Sequence, residues 1–220
     1  MTPQETALRE EIVARAREMN ANGLNQGTSG NISARLDDRM LITPSATPYD
    51  TMTPDMIASV GIDDASGKWD GPKKPSTEWR FHQRILRERP DMQAVVHAHP
   101  NYCTALAMQR RGIPACHYMI AAFGGVDVRC SGYATFGTEA LSDLVLEALE
   151  GRTACLMANH GMVALGENLA KGMWRAVELE TIARQYVTTL QLGEPRILSD
   201  AEIADTMAGF STYGLQTEDA

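Results

Sequence analysis

The sequence predicts an α/β fold in which helices cover both faces of one largely antiparallel sheet. Short apolar segments of strand length alternate irregularly with longer helical segments, and many neighbouring strands are joined by tight turns, which favour antiparallel pairing. No G-x-G-x-x-G or Walker motif occurs, so a doubly wound nucleotide-binding sheet has no support. A chain of 220 residues with 44% apolar content can bury a substantial core, as one large domain or two small ones. Because we expect one sheet, we expect residues 1–220 to form a single domain.

The first half of the chain combines helices at its two ends with hairpins between them. The first helix ends near Asn22-Gly23, a common C-terminal signal, and Ser76 is a good N-cap for the second. Asp37-Asp38 supplies the turn of the first hairpin. The predicted elements are a helix at 3–22, strands at 32–36, 40–43, 58–62 and 67–69, and a helix at 77–89.

The second half continues with alternating strands and helices. A strand over 93–100 carries two histidines, and another apolar run, 153–161, leads to a third. The capping box Ser199-Asp200-Ala201-Glu202 predicts a short final helix. The other predicted elements are helices at 101–111, 138–149 and 169–192, one or two strands within 115–128, and a strand at 162–165.

Composition excludes several classes of function. The net charge is −8 and no basic stripe is present, so we expect neither nucleic acid nor a membrane surface as a partner. No segment approaches the ~20 apolar residues of a membrane helix, and no signal peptide is visible, which favours the cytoplasm. The four cysteines form no C-x-x-C pair, and we expect them to be reduced and inert.

Three of the five histidines follow apolar runs. His97 and His99 lie two positions apart, and alternate residues of a strand point to the same side, so both imidazoles can reach one ion. His160 supplies a third nitrogen. This pattern predicts a three-histidine metal centre with one open position, as in catalytic sites. Imidazole ligands suit zinc, manganese, iron, cobalt or nickel, so the sequence leaves the ion open.

Glu78 and His82 share one face of the helix predicted over 77–89. Glu78 either stabilises the positive end of that helix or is aimed at the metal as a ligand and a base. The plainer interpretation of Glu78 with His82 is a surface pair. The last histidine, His117, is a weaker candidate for a partner of a metal ligand.

Three small polar loops offer hydroxyls and backbone N–H groups. They lie at 27–31, 43–46 and 75–77, and the third is at a helix N-terminus, where an anion is favoured. Together they predict a phosphate site without lysine or arginine, although each alone is typical of an ordinary turn or cap. Tyr118, Tyr133 and Tyr213 are candidate proton donors, with a place in the core as the alternative.

The order of these features resembles the class II aldolase/adducin family. The resemblance covers nearly the whole chain and implies an α/β/α fold around a largely antiparallel sheet. It also implies a homotetramer with fourfold symmetry whose active sites lie between subunits. The resembling segments are 27–33, 41–45, 75–82, 97–99, 117–120, 133–138, 160–161 and 212–215.

The resemblance assigns roles to individual residues. It implies a Zn²⁺ site, with Mn²⁺, Co²⁺ or Fe²⁺ as alternatives, in which Glu78 is a ligand at rest and then the general base. Two tyrosines, Tyr118 and Tyr213, match catalytic positions. The remaining ligands are His97, His99 and His160, and the matched phosphate-binding positions are Asn31, Ser45, Ala46, Ser76 and Thr77.

Two of these positions depart from the family pattern. Ala46 stands where the family usually has glycine, and because alanine disfavours positive φ we expect a slightly altered loop. Thr77 replaces a serine but keeps the hydroxyl. Neither change removes a hydrogen-bond donor, so the departures bear on phosphate affinity more than on chemistry.

The resemblance implies a metal-dependent aldehyde-lyase of carbohydrate metabolism. It would reversibly cleave a ketose 1-phosphate, such as L-fuculose 1-phosphate or a related 5-deoxypentulose 1-phosphate, into dihydroxyacetone phosphate and a short aldehyde. The alternatives are a 5-(methylthio)ribulose or 5-deoxyribulose 1-phosphate aldolase of nucleoside salvage, a methylthioribulose phosphate dehydratase, and a phosphopentulose 4-epimerase. Epimerases of the family tend to carry Asp where this chain has Glu78. A non-enzymatic adducin-like module would not need the metal-ready histidines.

Overall fold

A central antiparallel sheet organises residues 1–210, the part of the chain that this computed structural model describes. Its strand order is β4-β3-β2-β1-β5-β9-β8, and β6 pairs with β7 separately. The strands are β1 (Asn31–Leu36), β2 (Arg39–Ile42), β3 (Ala58–Gly61), β4 (Trp69–Asp70), β5 (Ala94–Ala98), β6 (Ile113–Pro114), β7 (Asp127–Val128), β8 (Ala154–Met157) and β9 (Gly161–Gly166). Every strand pair in the sheet is antiparallel, which confirms the predicted architecture.

Helices cover both faces of this sheet. They are α1 (Pro3–Ala21), α2 (Trp79–Glu88), α3 (Asn101–Met108), α4 (Glu139–Ala148), α5 (Leu169–Leu190) and α6 (Asp200–Phe210). The predicted capping box is present at the start of α6, where Ser199 Oγ accepts the Glu202 N–H and the Glu202 carboxylate accepts the Ser199 N–H. Among residues 1–210, no helix has the length and apolar composition needed to cross a bilayer.

Strand β5 lies in the interior of the sheet, between β1 and β9, and separates two apolar cores. Val96 belongs to the core formed with α1, α3 and α5, whereas its neighbour Val95 packs into the core formed with α2 and α4. This alternation follows from the period of two along a strand. His97 points to the same face as Val95, where its ring meets that of Phe81 in α2 edge-on, with centroids 5.5 Å apart. The sheet therefore presents His97 to the layer of α2.

The segment 115–128 contains one short strand, β7, as predicted, but most of it is not extended. A 3-10 helix occupies Tyr118–Phe123, between the short strands β6 and β7. His117 caps it by accepting the Met119 N–H, and Gly124 ends it at φ 89°. Since Ile120 and Phe123 are fully buried, the segment is a continuous apolar run, and such a run does not distinguish a strand from a buried helical turn.

Two helix boundaries also differ from prediction. Helix α2 begins at Trp79 with Glu78 as the N-cap, so Ser76 is not the cap; its hydroxyl accepts the Glu78 N–H at 3.3 Å instead. Helix α3 ends at Met108 rather than 111, because Arg110 adopts φ 50° and turns the chain away. The first difference matters for the site, since it places Glu78 at the junction between a loop and a helix.

Candidate metal centre and catalytic site

Three histidines converge where the two interior strands β5 and β9 meet, at the end of β5 and the start of β9. His97 is in β5 and His99 follows that strand directly, while His160 immediately precedes β9, the antiparallel neighbour of β5. Their ring centroids are 4.8 to 4.9 Å apart in pairs. One nitrogen of each ring lies within 4.8 Å of the other two. The geometry therefore suits three imidazoles that share one ion.

Backbone contacts orient the most buried of these rings. His97 Nδ1 lies 2.8 Å from the carbonyl oxygen of Met162, which can only accept, so Nδ1 carries the proton. Its Nε2 then points into the site, 2.9 Å from His99 Nε2. A second-sphere carbonyl that fixes the tautomer of a histidine is typical of metal ligands.

A glycine makes room for the second ring. A Cβ atom at Gly161 would lie 2.6 Å from His99 Cδ2 and 2.5 Å from the carbonyl oxygen of Ala98. Both distances are too short for any side chain. Gly161 directly follows the candidate ligand His160, and its lack of a side chain lets the His99 ring lie beside it.

Glu78 brings a carboxylate to the same point. It is 5% exposed, with Oε2 3.1 Å from His97 Nε2 and Oε1 3.3 Å from His160 Nε2. Burial raises the pKa of this carboxyl, but the positive charge on His97 and the Asn31 N–H outweigh burial and hold the pKa well below its usual range. Glu78 is therefore ionised at neutral pH.

The donor set fits a divalent cation. Burial lowers the pKa of His99 to about 3 and that of His160 to about 4, which leaves their lone pairs free near neutral pH. Within residues 1–210, Glu78 Oε1 is buried and accepts no hydrogen bond, so it has unmet capacity for a cation or a proton. Three imidazole nitrogens with one carboxylate oxygen are a common ligand set for zinc and its neighbours.

A buried network of polar side chains contacts Glu78 through Asn31. Asn31 Nδ2 donates to Glu78 Oε2 at 3.0 Å, and Asn31 Oδ1 lies 2.5 Å from His82 Nε2. His82 Nδ1 in turn lies 2.7 Å from Ser33 Oγ. His82 is fully buried, and burial lowers its pKa to about 3. The interpretation of Glu78 and His82 as a surface pair is therefore wrong.

The polar loops meet next to Glu78. An antiparallel bridge joins Pro44 to Pro75, because the Ser45 N–H donates to the Lys74 carbonyl and the Ser76 N–H donates to the Thr43 carbonyl. The bridge places the predicted phosphate-binding residues of both loops close to Glu78, which precedes α2. Asn31 differs from them, since its side chain is committed to Glu78 and His82.

Ala46 adopts φ 50°, the left-handed conformation that glycine takes at little cost. We expect Ala46→Gly to stabilise the fold by about 0.5–1 kcal/mol, the strain relieved (~1–2 kcal/mol) less the entropy of a more flexible unfolded chain (~0.4–1 kcal/mol). In a thermal melt this raises Tm by about 2 °C. Ala65 is a matched control, since it is also exposed in a turn but lacks positive φ. Ala65→Gly should lower Tm, and an equal fall in both variants would contradict strain at Ala46.

The predicted tyrosines have less support from the structure. Tyr118 lies on the 3-10 helix and is 52% exposed, with its ring 4.8 Å from that of His117 and 6.3 Å from that of Phe210. Within residues 1–210 no ring contact joins it to the histidine cluster. Tyr213 lies outside the described residues. The catalytic roles of both tyrosines remain predictions, and His117 acts as a helix cap.

Comparisons with known proteins agree on one family. Residues 10–187 match the family described as Class II Aldolase and Adducin N-terminal domain. The chain is 49% identical over 208 residues to the 5-methylthioribulose-1-phosphate/5-deoxyribulose-1-phosphate aldolase of Rhodospirillum rubrum, covering 94% of this chain and 93% of the relative. It is 47% identical over 213 residues to the L-fuculose phosphate aldolase of Escherichia coli K12, covering 96% and 98%. A solved L-fuculose 1-phosphate aldolase superposes with a TM-score of 0.89 at 35% identity, covering 93% of this chain and 96% of that one.

Proposed function

We propose, since this chain belongs to the class II aldolase and adducin family, that its site cleaves a ketose 1-phosphate reversibly into dihydroxyacetone phosphate and a short aldehyde. The chain is a class II aldolase, a metal-dependent lyase of carbohydrate metabolism. The observation that carries the proposal is the position of the Glu78 carboxylate, within 3.1–3.3 Å of two of the three convergent histidines. A base and a metal site at one point are what cleavage next to a carbonyl requires.

His97, His99 and His160, with Glu78 at rest, are the proposed metal ligands. We propose Zn²⁺ as the ion, with Mn²⁺, Co²⁺ or Fe²⁺ able to replace it, because imidazole nitrogens suit all of them. A bound ion would act as a Lewis acid toward the carbonyl and hydroxyl oxygens of the substrate. Neutral histidine ligands leave the positive charge of such an ion undiminished.

Glu78 is the proposed general base. It is ionised at neutral pH in the metal-free protein, because a protonated His97 and the Asn31 N–H lower its pKa, and a bound cation would replace the charge of His97. Its Oε1 accepts no hydrogen bond within residues 1–210. We propose that Oε1 takes and returns the proton, while Oε2 stays bound to Asn31. Proton transfer by a positioned carboxylate needs no lysine and no imine.

The loops joined by the Pro44–Pro75 bridge are the proposed phosphate site. The hydroxyls of Ser45, Ser76 and Thr77 and the backbone N–H groups of Ala46 and Thr77 would hold the phosphate, since the Ser45 and Ser76 N–H groups are used in the bridge. Asn31 would contribute the second N–H of its side-chain amide, because the first is donated to Glu78. The start of α2 adds a favourable dipole for the anion. The site therefore needs no cationic side chain, in keeping with the acidic chain as a whole.

Assembly and location complete the proposal. We propose a homotetramer with active sites between subunits, in which Tyr118 and Tyr213 serve the aldehyde oxygen. Tyr118, Tyr133 and Phe136 are more than half exposed, which supports cover by another subunit.

We also propose that residues 1–220 form one domain and that the enzyme is cytoplasmic, where sugar phosphates are retained.

The aldehyde remains to be assigned among lactaldehyde, acetaldehyde and methylthioacetaldehyde. Relatives named for L-fuculose phosphate and for 5-methylthioribulose and 5-deoxyribulose phosphates are 47% and 49% identical to this chain. Phe136 precedes Gly137, whose backbone lies so close to the Thr77 carbonyl that a Cβ atom there would be 2.9 Å from its oxygen. The exposed Phe136 ring and Phe210 are the proposed contacts for the aldehyde, and the three aldehydes should differ by ~1–3 kcal/mol, or about 5- to 150-fold in kcat/KM.

The test is to supply the metal-loaded enzyme with dihydroxyacetone phosphate and each aldehyde and to measure the ketose 1-phosphate formed. We expect condensation with at least one aldehyde, and release of free dihydroxyacetone phosphate in the reverse direction. A 4-epimerase would interconvert pentulose phosphates without releasing that fragment, and a dehydratase would release water without carbon–carbon cleavage. Either result would overturn the proposal.

A further inference from the structure

We propose that His82 and Ser33 are positioning residues that hold the Glu78 carboxylate in one orientation through the amide of Asn31. The chain of contacts is continuous and buried: Ser33 Oγ to His82 Nδ1 at 2.7 Å, His82 Nε2 to Asn31 Oδ1 at 2.5 Å, and Asn31 Nδ2 to Glu78 Oε2 at 3.0 Å. The inference rests on the proposed function, because it concerns how Glu78 is presented as a base.

The donors and acceptors of this chain allow one assignment. A carboxylate only accepts, so Asn31 must turn its NH₂ group toward Glu78 and its carbonyl oxygen toward His82. His82 Nε2 must therefore carry the proton, and the bare Nδ1 accepts from the Ser33 hydroxyl. The whole relay is neutral apart from Glu78, which agrees with the complete burial of Ser33 and His82.

Secondary structure brings the four groups to one place. Asn31 and Ser33 alternate along β1 and so share one face of the sheet, and Asn31 is paired with His97 in β5. Glu78 and His82 are one helical turn apart on the adjoining α2 segment. The His82 ring is stacked on Phe81 with centroids 4.5 Å apart, which fixes the plane of its N–H.

The relay distinguishes the two oxygens of Glu78. A rotation of the Asn31 amide by 180° would set an acceptor against the carboxylate and a donor against the His82 N–H, and burial offers no water to relieve either clash. Oε2 is thus held by Asn31, while Oε1 accepts no hydrogen bond in the part of the chain that the structure describes. His82 is not itself part of the convergent histidine group, so its effect on the reaction passes through Asn31.

Two substitutions of His82 separate positioning from packing. The side-chain amide nitrogen of Gln reaches the place of the histidine Nε2, whereas that of Asn reaches only the place of Nδ1. We expect H82N to lower kcat by about 30- to 100-fold, at or below the lower limit of what proton transfer contributes because Glu78 itself remains, with KM changed less than about threefold. H82Q should recover most of that loss. Equal kcat values for H82N and H82Q, whether both low or both normal, would overturn the inference, since a packing role does not depend on where the donor sits.

A second readout does not depend on activity. In the metal-free protein, ¹⁵N-histidine NMR should show His82 protonated at Nε2 and bare at Nδ1, and Ser33→Ala should increase the fraction protonated at Nδ1. A wild-type His82 protonated at Nδ1 would overturn the inference even if every His82 variant failed to fold. If the wild-type enzyme released no dihydroxyacetone phosphate, the proposed function would fail instead, whatever the tautomer.

Discussion

We expect Glu78→Gln to lower kcat by about 10²- to 10⁴-fold while the protein keeps its metal, because the substitution removes the proposed general base. Gln preserves the shape of the side chain and can accept through its oxygen, but it cannot take a proton at neutral pH. The three histidines remain to bind the ion. The measurements are kcat from the release of dihydroxyacetone phosphate and the metal content per chain from elemental analysis.

Glu139→Gln is the matched control for this change. Glu139 is exposed at the start of α4 and pairs with Arg80 and Arg84 of α2, so the same substitution removes a carboxylate charge near the helix that follows Glu78. Such exposed pairs contribute little, about 0–1 kcal/mol, and we expect kcat to be unchanged. A near-normal rate in Glu78→Gln with an intact metal site would remove Glu78 from the role of base.

The second large effect is expected from His97→Ala, which should abolish both metal binding and activity. His97 is the fully buried member of the three histidines, and the Met162 carbonyl orients its ring. Loss of one of three protein nitrogens leaves a site too weak for a catalytic ion. Metal content after dialysis and kcat with added Zn²⁺ measure the two effects.

His117→Ala serves as the control for this variant. His117 caps the 3-10 helix by accepting the Met119 N–H, so its loss should cost about 1 kcal/mol of stability and leave the metal content unchanged. A chelator-treated wild-type enzyme should lose activity and regain it with Zn²⁺. If the metal-free wild type remained fully active, the metal-dependent mechanism would be wrong.

Local geometry explains why so much of the candidate metal centre could be predicted from sequence. His97 and His99 are two apart on a strand, and that spacing alone places both rings on one face. The antiparallel sheet likewise followed from short turns between apolar runs. The family resemblance favoured one of the two interpretations of Glu78, because its position at a helix start is equally typical of a simple dipole interaction.

The supporting network could not be predicted because it depends on tertiary register. Asn31 faces His97 only through the pairing of β1 with β5, and His82 reaches Asn31 only because α2 packs on that face of the sheet. Nothing in the sequence shows whether His82, one helical turn after Glu78, is buried or exposed to solvent. The 3-10 helix at Tyr118–Phe123 was missed for a related reason, since a buried apolar run carries no clear period.

The close approach of Gly161 to the His99 ring has a consequence for protein engineering. Mutant libraries that aim at new aldehyde acceptors should leave position 161 untouched, because any added carbon there displaces a candidate ligand rather than reshaping the acceptor pocket. The exposed Phe136 is a better position to vary, because its replacement leaves the imidazoles in place.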